Sequence, residues 1–231
     1  MSNFVLLGYG RMGKRIQEIA EERGHRIVLA TSHTPVSIPE SADAVINFST
    51  PDSAFELVAL SLSQGIPVIS GTTGWDHLVP KANEMALENN TAFIYSSNFS
   101  LGVNLAFAVN KKLAELLKPY SQYKVSIEEI HHKHKLDAPS GTAISLAQPH
   151  IESRELDGYQ LGDSTEKLPI YSIRKGEIPG THHVHYKSDI DEITLSHEAH
   201  NRDGFALGSV IAAEWIVGKK GIFTMNDVLN L

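Results

Sequence analysis

A glycine-rich turn follows the first apolar run of the chain and constrains the fold more than any other feature. The apolar run covers residues 4–7, and the turn covers 8–13 with glycine at its first, third and sixth positions. Apolar residues then recur at helical spacing over 16–20, and a second apolar run covers 26–30. Gly-x-Gly-x-x-Gly is a weak signal by itself, but between the strand and the helix of a compact βαβ unit it is much stronger. There it lets a pyrophosphate approach the backbone at the helix N-terminus.

Strands and helices continue to alternate through the first half of the chain. Predicted strands cover 44–48, 67–70 and 92–95, and the intervening helices begin near residues 51 and 80. This order predicts a parallel, doubly wound sheet. In such sheets a ligand binds beyond the carboxyl ends of the strands.

Three loops fall at those strand ends, and together they predict a dinucleotide cleft. They cover 8–13, 71–74 and 96–100. Turn chemistry without a ligand could explain any one of them, but their agreement favours binding. Thr31, at the end of the second strand, is added to these loops because that strand end lies near the cofactor ribose in such sheets. The predicted cofactor-binding residues are Gly8, Tyr9, Gly10, Arg11, Met12, Gly13, Thr31, Gly71, Thr72, Thr73, Ser96, Ser97, Asn98 and Phe99.

The end of the second strand predicts the cofactor preference. NAD-selective sites place a carboxylate there, on the ribose hydroxyls. Here that strand ends at Thr31, and neither Asp nor Glu lies between Glu22 and Glu40. Hydroxyls at the strand end, and Arg11 within the glycine turn, can instead donate to a 2′-phosphate. We expect NADPH to be used at least as well as NADH.

The second half of the chain is dominated by strands. The predicted elements are a helix from about 104 to 119, strands over 123–130, 170–174, 184–186 and 190–197, helices over 143–147, 205–217 and 225–229, and a loop over 151–168. The predicted fold class is therefore α/β, with a Rossmann-type doubly wound parallel sheet. We also predict a second α+β domain with a mixed or antiparallel sheet.

The segment from His131 to Thr142 carries most of the chemical information. Histidines and lysines fill 131–135, and Pro-Ser-Gly-Thr then begins a helix. Cations beside the free N–H groups of a helix N-terminus form a site for a carboxylate or phosphate. Gly141 allows close approach of the anion, and histidine is the usual general acid near neutral pH. A basic run is otherwise an exposed, solvated face, but its position against a helix start favours the anion site.

The histidines also raise the possibility of a metal site, because the chain has 12 of them. In a strand, residues two apart share a face, so His132 with His134, or His183 with His185, could chelate an ion; His131 and His182 are further candidates. However, the His-Glu-x-x-His spacing is absent and lysines interrupt the first cluster. We therefore expect no metal, and a metal-dependent hydrolase remains a minor alternative.

Composition excludes several other classes. The formal charge is −7, which argues against a nucleic-acid or anionic-membrane surface. The chain has no cysteine, and therefore no disulfide, thiol nucleophile or iron–sulfur site. No apolar run approaches the length of a membrane span, and the start lacks a basic signal-peptide region, so we expect a cytoplasmic protein.

Several motifs, in order along nearly the whole chain, resemble the 4-hydroxy-tetrahydrodipicolinate reductase family, formerly called dihydrodipicolinate reductase. This family acts in bacterial lysine and diaminopimelate biosynthesis. The most specific motif is Glu-Ile-His-His-Lys-His-Lys-Leu-Asp-Ala-Pro-Ser-Gly-Thr-Ala, at 129–143. The other matching segments are 8–13, 71–74, 98–104, Ser172-Ile173-Arg174 with Gly180, and Phe205-Ala206 with Gly208.

The resemblance implies hydride transfer from NADH or NADPH to C4 of a cyclic dicarboxylate, with loss of water. It implies His131 as the acid–base residue and Lys135 as a proton donor that also holds a carboxylate. His132, Gly141 and Thr142, together with the Ser140 turn, would bind substrate. Family members are typically homotetramers that associate through the second domain. The expected division is a dinucleotide-binding domain of 1–103 and 205–231, and a substrate-binding and oligomerisation domain of 104–204.

The chain also departs from the family pattern. Asn47 stands where the family usually has Asp, and the 30–44 connection and the 151–168 segment are short. The histidine-rich stretch at 181–185 is not expected of the family. The remaining alternatives are another NAD(P)-dependent dehydrogenase of a small carboxylic acid, and a dinucleotide-sensing protein without catalysis. Intact His131 and Lys135 argue against the second.

Overall fold

The computed structural model describes residues 1–35 and 37–231. Val36, within the short 30–44 connection, lies outside the described residues. The described chain forms two compact units. Unit 1 comprises Met1–Leu101 and Asp203–Leu231, and unit 2 comprises Gly102–Arg202.

Eleven strands and seven α-helices are assigned in the described ranges. In the first part of the chain they are β1 (Asn3–Leu7), α1 (Arg11–Glu22), β2 (Arg26–Thr31), β3 (Ala44–Asn47), α2 (Pro51–Ser63), β4 (Val68–Ser70), α3 (Val79–Glu88), β5 (Ala92–Tyr95) and α4 (Leu101–Leu117). The rest are β6 (Lys124–His131), α5 (Gly141–Arg154), β7 (Tyr159–Leu161), β8 (Leu168–Arg174), β9 (Gly180–Lys187), β10 (Glu192–Ala199), α6 (Asp203–Ile216), β11 (Gly221–Phe223) and α7 (Met225–Leu229).

Unit 1 is built on a six-stranded parallel sheet in the order β11-β5-β4-β3-β1-β2. Successive residues of β1 point to opposite faces, so Phe4 and Leu6 pack with α1 and α6, whereas Val5 and Leu7 pack with α2 and α3. Apolar residues at consecutive positions are typical of a strand that is covered on both faces. The predicted doubly wound, Rossmann-type sheet is confirmed.

Unit 2 is built on a five-stranded mixed sheet in the order β10-β9-β6-β8-β7. β6 pairs antiparallel with β9 and parallel with β8. Alternate residues of β6 are buried, and Val125 and Ile127 form a core with Leu146 and Ala147 of α5. The predicted second domain with a mixed sheet is confirmed.

Two elements differ from the prediction. The 151–168 segment is not a continuous loop, because α5 extends to Arg154 and β7 occupies Tyr159–Leu161. All three residues of β7 are exposed at the sheet edge, so they show no apolar periodicity. The sequence analysis also missed the short edge strand β11, Gly221–Phe223, because three residues are too few to show the alternation of a strand. Within the described residues, no helix has the length and apolar character needed to cross a membrane.

Candidate active site

The glycine turn of unit 1 needs glycine at positions 8 and 13 because the turn, the start of α1 and the residues after β3 lie very close together. Gly8 has a φ of +95°, and a Cβ there would collide with the backbone of Phe48. A Cβ on Gly13 would collide with the carbonyl oxygen of Gly8, so α1 packs directly against the end of β1. At Gly10, by contrast, a Cβ would meet nothing within 4 Å.

Gly10 is the N-cap of α1 and supplies no side chain to its free N–H groups. The first turn contains no acidic residue, and Arg11 is exposed there. Open backbone donors, a helix N-terminus and a nearby guanidinium fit the pyrophosphate of a dinucleotide.

A cleft of about 380 Å³ lies in unit 1 at the carboxyl ends of β3, β4 and β5. Of the predicted cofactor residues, it is lined by Met12, Gly71, Thr72, Thr73, Ser97 and Phe99. Phe48 also lines it and packs against Phe99 with ring centroids 5.8 Å apart. A Cβ on Gly71 would collide with the Phe48 ring, which explains glycine at that position.

Other predicted cofactor residues hold the surrounding loops in place. The Thr31 hydroxyl contacts the backbone of His33, and the carbonyl of Thr31 accepts from the N–H of Gly8 at 2.8 Å. The Tyr9 N–H donates to the Ser32 hydroxyl at 3.2 Å. The Ser96 hydroxyl accepts from the Asn98 N–H and donates to the Asn98 carbonyl, which closes the loop after β5.

In unit 2 the sheet register brings together three buried side chains. Glu129 of β6 pairs across the strands with His182 of β9, and His131 lies two residues along β6 on the same face. Nδ1 of His131 is 2.8 Å from Oε2 of Glu129. The two atoms are at ion-pair distance but without the alignment of a hydrogen bond, so the contact is electrostatic. The rings of His131 and His182 meet edge to face, with centroids 5.1 Å apart.

Glu129 is fully buried, yet it remains ionised. Its Oε1 accepts from the Arg174 guanidinium at 3.0 Å and from the Ser140 N–H at 3.2 Å. Burial raises the pKa of Glu129, but the opposing effect of His131, Ser140, Ser172 and Arg174 holds it well below its ordinary value. A negatively charged carboxylate therefore lies beside the His131 ring.

The Nε2 side of His131 has room because of a glycine. A Cβ on Gly180 would lie 3.0 Å from Nε2 of His131. Neighbouring His182 is held neutral, since burial, followed by the nearby His131, lowers its pKa to about 3. His182 is therefore unsuited to carrying a proton at neutral pH.

Ser140 connects this network to the N-terminus of α5. Its hydroxyl accepts from the Ala143 N–H at 3.2 Å as an N-cap and contacts Nε2 of His182 at 3.1 Å. Both its hydroxyl and its N–H therefore have protein partners. The next residue is open, because a Cβ on Gly141 would meet nothing within 4 Å, and Thr142 is partly exposed.

The basic segment lies next to this helix start. Nζ of Lys135 is 2.9 Å from Oδ1 of Asp137, and this contact is the main cause of the lowered pKa of Asp137. The Lys135 carbonyl accepts from Nε of Arg174 at 3.3 Å. The rings of His132 and His134 are 6.0 Å apart. A larger cavity in unit 2, about 670 Å³ and lined by residues such as Lys118, Lys124 and Arg154, contains none of the predicted site residues.

The family models match almost the whole chain. "Dihydrodipicolinate reductase, N-terminus" matches 2–99, and "Dihydrodipicolinate reductase, C-terminus" matches 102–229. The chain belongs to the dihydrodipicolinate reductase family. Members of this family are NAD(P)H-dependent oxidoreductases, and so is this chain.

Similar proteins agree with the family assignment. A 4-hydroxy-tetrahydrodipicolinate reductase of Christiangramia forsetii is 48% identical, with 99% of this chain and 98% of the relative covered. The enzyme of the same name from Methanoregula boonei is 35% identical over 100% of this chain and 99% of its own. In fold, the chain resembles a dipicolinate-bound dihydrodipicolinate reductase from Paenisporosarcina sp. TG-14, with a TM-score of 0.79, 24% identity and 97% of each chain covered.

Sequence reasoning assigned no catalytic or substrate-binding role to Glu129, Arg174 and His182 of the buried network in unit 2. Glu129 occupies an inward-facing position of a strand in which buried and more exposed residues alternate. A carboxylate at a buried position is unusual, and this could have identified Glu129 as a functional residue. The sequence marked His182 only as a candidate metal ligand and Arg174 only as part of a family motif, because their contacts with Glu129 and His131 depend on the pairing of β6 with β8 and β9.

Proposed function

We propose that the chain reduces 4-hydroxy-tetrahydrodipicolinate, or the dihydrodipicolinate formed from it by loss of water, to tetrahydrodipicolinate. Family membership supports the reaction. The observation that carries the residue assignment is the ionised Glu129 beside His131, connected through Ser140 to the open N-terminus of α5. That arrangement supplies a proton and a carboxylate site, and the reduction of a conjugated cyclic imine dicarboxylate requires both.

In this proposal His131 is the acid–base residue and uses its Nε2. Its Nδ1 faces Glu129, which fixes the ring, while Gly180 leaves space at Nε2. Lys135 is the second proton donor through Nζ. Its contact with exposed Asp137 is one that a substrate carboxylate could replace.

The two carboxylates of the substrate require two anion sites. The Gly141 and Thr142 N–H groups and the Thr142 hydroxyl would bind one of them at the N-terminus of α5. His132 and Lys135 would bind the other. Ser140 caps the helix and positions its N-terminus, and its engaged polar groups favour that role over direct contact with substrate.

Unit 1 is the proposed cofactor-binding domain and unit 2 the substrate-binding domain. The residues at the carboxyl ends of β1, β2, β4 and β5 would hold the cofactor. The glycine turn would bind its pyrophosphate, Thr31 and Arg11 would bind the ribose end, and the loops at 71–73 and 96–99 would bind the nicotinamide half. The nicotinamide ring supplies a hydride when bound. The protein's own task is to orient the two reactants and to supply the proton.

Unit 2 is also the proposed site of assembly into a homotetramer. Apolar side chains are exposed on or near its sheet edges, with Leu161 of β7 48% exposed and Ile193 of β10 38% exposed. Light scattering on the full chain is expected to give four times the 25.3 kDa of one chain. A monomer at micromolar concentration would contradict this assignment.

A coupled assay tests the reaction directly. The purified chain is mixed with NADPH, aspartate semialdehyde, pyruvate and the enzyme that condenses the latter two, and the nicotinamide absorbance is followed. We expect NADPH consumption that depends on every component. Consumption with an unrelated carboxylic acid, and none with the condensation product, would instead indicate another dehydrogenase.

A further inference from the structure

Three buried atoms of the type that bind metals lie together in unit 2. They are a carboxylate oxygen of Glu129 and one ring nitrogen each of His131 and His182, all within 4.8 Å of one another. Among the residues that the structure describes, Oε2 of Glu129, Nδ1 of His131 and Nδ1 of His182 have no hydrogen-bond partner. Oε2 of Glu129 and Nδ1 of His131 form an ion pair at 2.8 Å, whereas Nδ1 of His182 is a buried nitrogen without a hydrogen-bond partner. Buried polar atoms are usually satisfied, so this nitrogen beside a carboxylate–imidazole pair suits the addition of a cation.

The sheet holds these groups in a fixed arrangement. Glu129 and His182 are directly opposed on antiparallel strands, and His131 follows on the same face of β6. The pairs that sequence spacing suggested are less suitable, because His134 is exposed and contacts Glu177, and His185 contacts Glu192 at the surface. The cross-strand triad is buried in all three of its members.

Other contacts hold these side chains in place. Oε1 of Glu129 is held by Arg174 and the Ser140 N–H, and Nε2 of His182 contacts the Ser140 hydroxyl. Metal ligands are typically oriented by hydrogen bonds of this kind to their far side. Two imidazoles and one carboxylate, with no sulfur ligand, suit Zn²⁺.

We propose that Glu129, His131 and His182 form an inhibitory Zn²⁺ site. The inhibition rests on the proposed role of His131 and deepens it, because an ion at this site would take one ring nitrogen of the histidine assigned as the acid–base residue. Arg174 already offsets the charge of Glu129, so a bound ion adds uncompensated positive charge. Binding is therefore weak and reversible, as expected of inhibition rather than of a structural ion.

Metal binding is tested without reference to activity. The full chain is titrated with Co²⁺, and the visible absorption of a low-symmetry Co²⁺ site is expected to saturate at one bound ion per chain in an excess of Co²⁺. Zn²⁺ is expected to displace that ion. His182→Gln is expected to weaken binding at least tenfold, and Ser140→Ala about 10- to 100-fold through loss of ligand orientation. His185→Gln is the matched control, because it removes an imidazole from a surface pair with Glu192 on the same strand. Binding unaffected by His182→Gln, or abolished by His185→Gln, would overturn the site.

Inhibition is measured in the coupled assay without chelator. Zn²⁺ is expected to slow wild-type turnover, EDTA to restore it, and His182→Gln to raise the half-inhibitory Zn²⁺ concentration at least tenfold. If His182→Gln does not fold, anomalous scattering from Zn²⁺-soaked crystals of the wild type identifies the ligands without a variant. An ion on surface histidines alone would overturn the proposal. Co²⁺ binding at the triad with unchanged turnover would overturn the inhibitory role. Full turnover of metal-free His131→Gln would instead overturn the proposed catalytic role of His131, and no turnover of the wild type in the coupled assay would overturn the proposed function.

Discussion

Nδ1 of His131 lies 2.8 Å from Oε2 of Glu129, two residues earlier on the same buried face of β6. Arg174 and the Ser140 N–H hold the other oxygen of that carboxylate. The contact leaves Nε2 as the nitrogen of His131 that is free to act, on the side where Gly180 has no side chain. A histidine in a basic, apparently exposed run is therefore a buried and oriented group.

Removal of the Lys135 ammonium is predicted to affect both catalysis and binding. Lys135→Ala should lower kcat and raise KM, because the residue is assigned as a proton donor and as the partner of a substrate carboxylate. Asp137→Asn is the matched control, since it removes the residue that Lys135 contacts at 2.9 Å without removing the lysine. Steady-state kinetics distinguish the roles: a change in KM alone would rule out proton donation by Lys135.

Planar dicarboxylates are predicted to compete with the substrate. Pyridine-2,6-dicarboxylate should bind with one carboxylate at the N-terminus of α5 and the other at the basic segment. Thr142→Val keeps the shape of the side chain and loses its hydroxyl, and a hydrogen bond to a carboxylate is worth about 1.5–3 kcal/mol, so the inhibition constant should rise roughly tenfold or more. If neither Thr142→Val nor Lys135→Ala changes that constant, the anion site lies elsewhere.

The end of β2 is predicted to determine the cofactor preference. NADPH should have a kcat/KM at least equal to that of NADH, and Thr31→Asp should shift the ratio towards NADH, because a carboxylate repels the 2′-phosphate and accepts from ribose hydroxyls. Thr34→Asp adds the same charge to an exposed position three residues on and serves as the control. A parent enzyme strongly selective for NADH, or a ratio unchanged by Thr31→Asp, would contradict this role.

Stability is predicted to fall as the pH drops below about 6.5. Burial lowers the pKa of His150 to about 4, with a smaller effect of Arg154, and that of His182 to about 3. The unfolded chain, with ordinary histidine pKa values near 6.5, takes up these protons first. The free energy of unfolding therefore decreases from pH 6.5 to 4.5, by at most about 1.4 kcal/mol per pH unit for each histidine, and these groups contribute no pH dependence above that range.

His150→Gln tests this effect through the slope of the unfolding free energy against pH, not through the unfolding free energy at a single pH. Urea unfolding at several pH values should show a shallower decrease for His150→Gln than for the wild type. Exposed His33→Gln should leave the slope unchanged. Equal slopes for all three proteins would show that His150 titrates normally in the folded state. His150 contacts Asn110 at 2.9 Å, so some loss of stability at neutral pH is expected as well.

The local patterns of the sequence were sufficient for the fold class and for most elements. Features that are encoded by residues close together in the sequence were predicted. They include the glycine turn, the buried strands of unit 1 and the alternation in β6. β7 and β11 were missed because a three-residue edge strand has no measurable periodicity. The partners of His131 could be predicted only in part, since Glu129 is nearby in sequence, whereas Arg174 and His182 reach it through strand pairing over more than 40 residues.

The most direct test of the account is the turnover of His131→Gln together with its affinity for NADPH. Glutamine keeps a polar side chain but cannot donate an acidic proton, so kcat should fall by about 10²–10⁴-fold. The dissociation constant for NADPH, measured by fluorescence titration, should stay within about twofold, because the proposed cofactor residues belong to unit 1. Wild-type turnover in His131→Gln would remove this histidine from the mechanism and contradict the central claim.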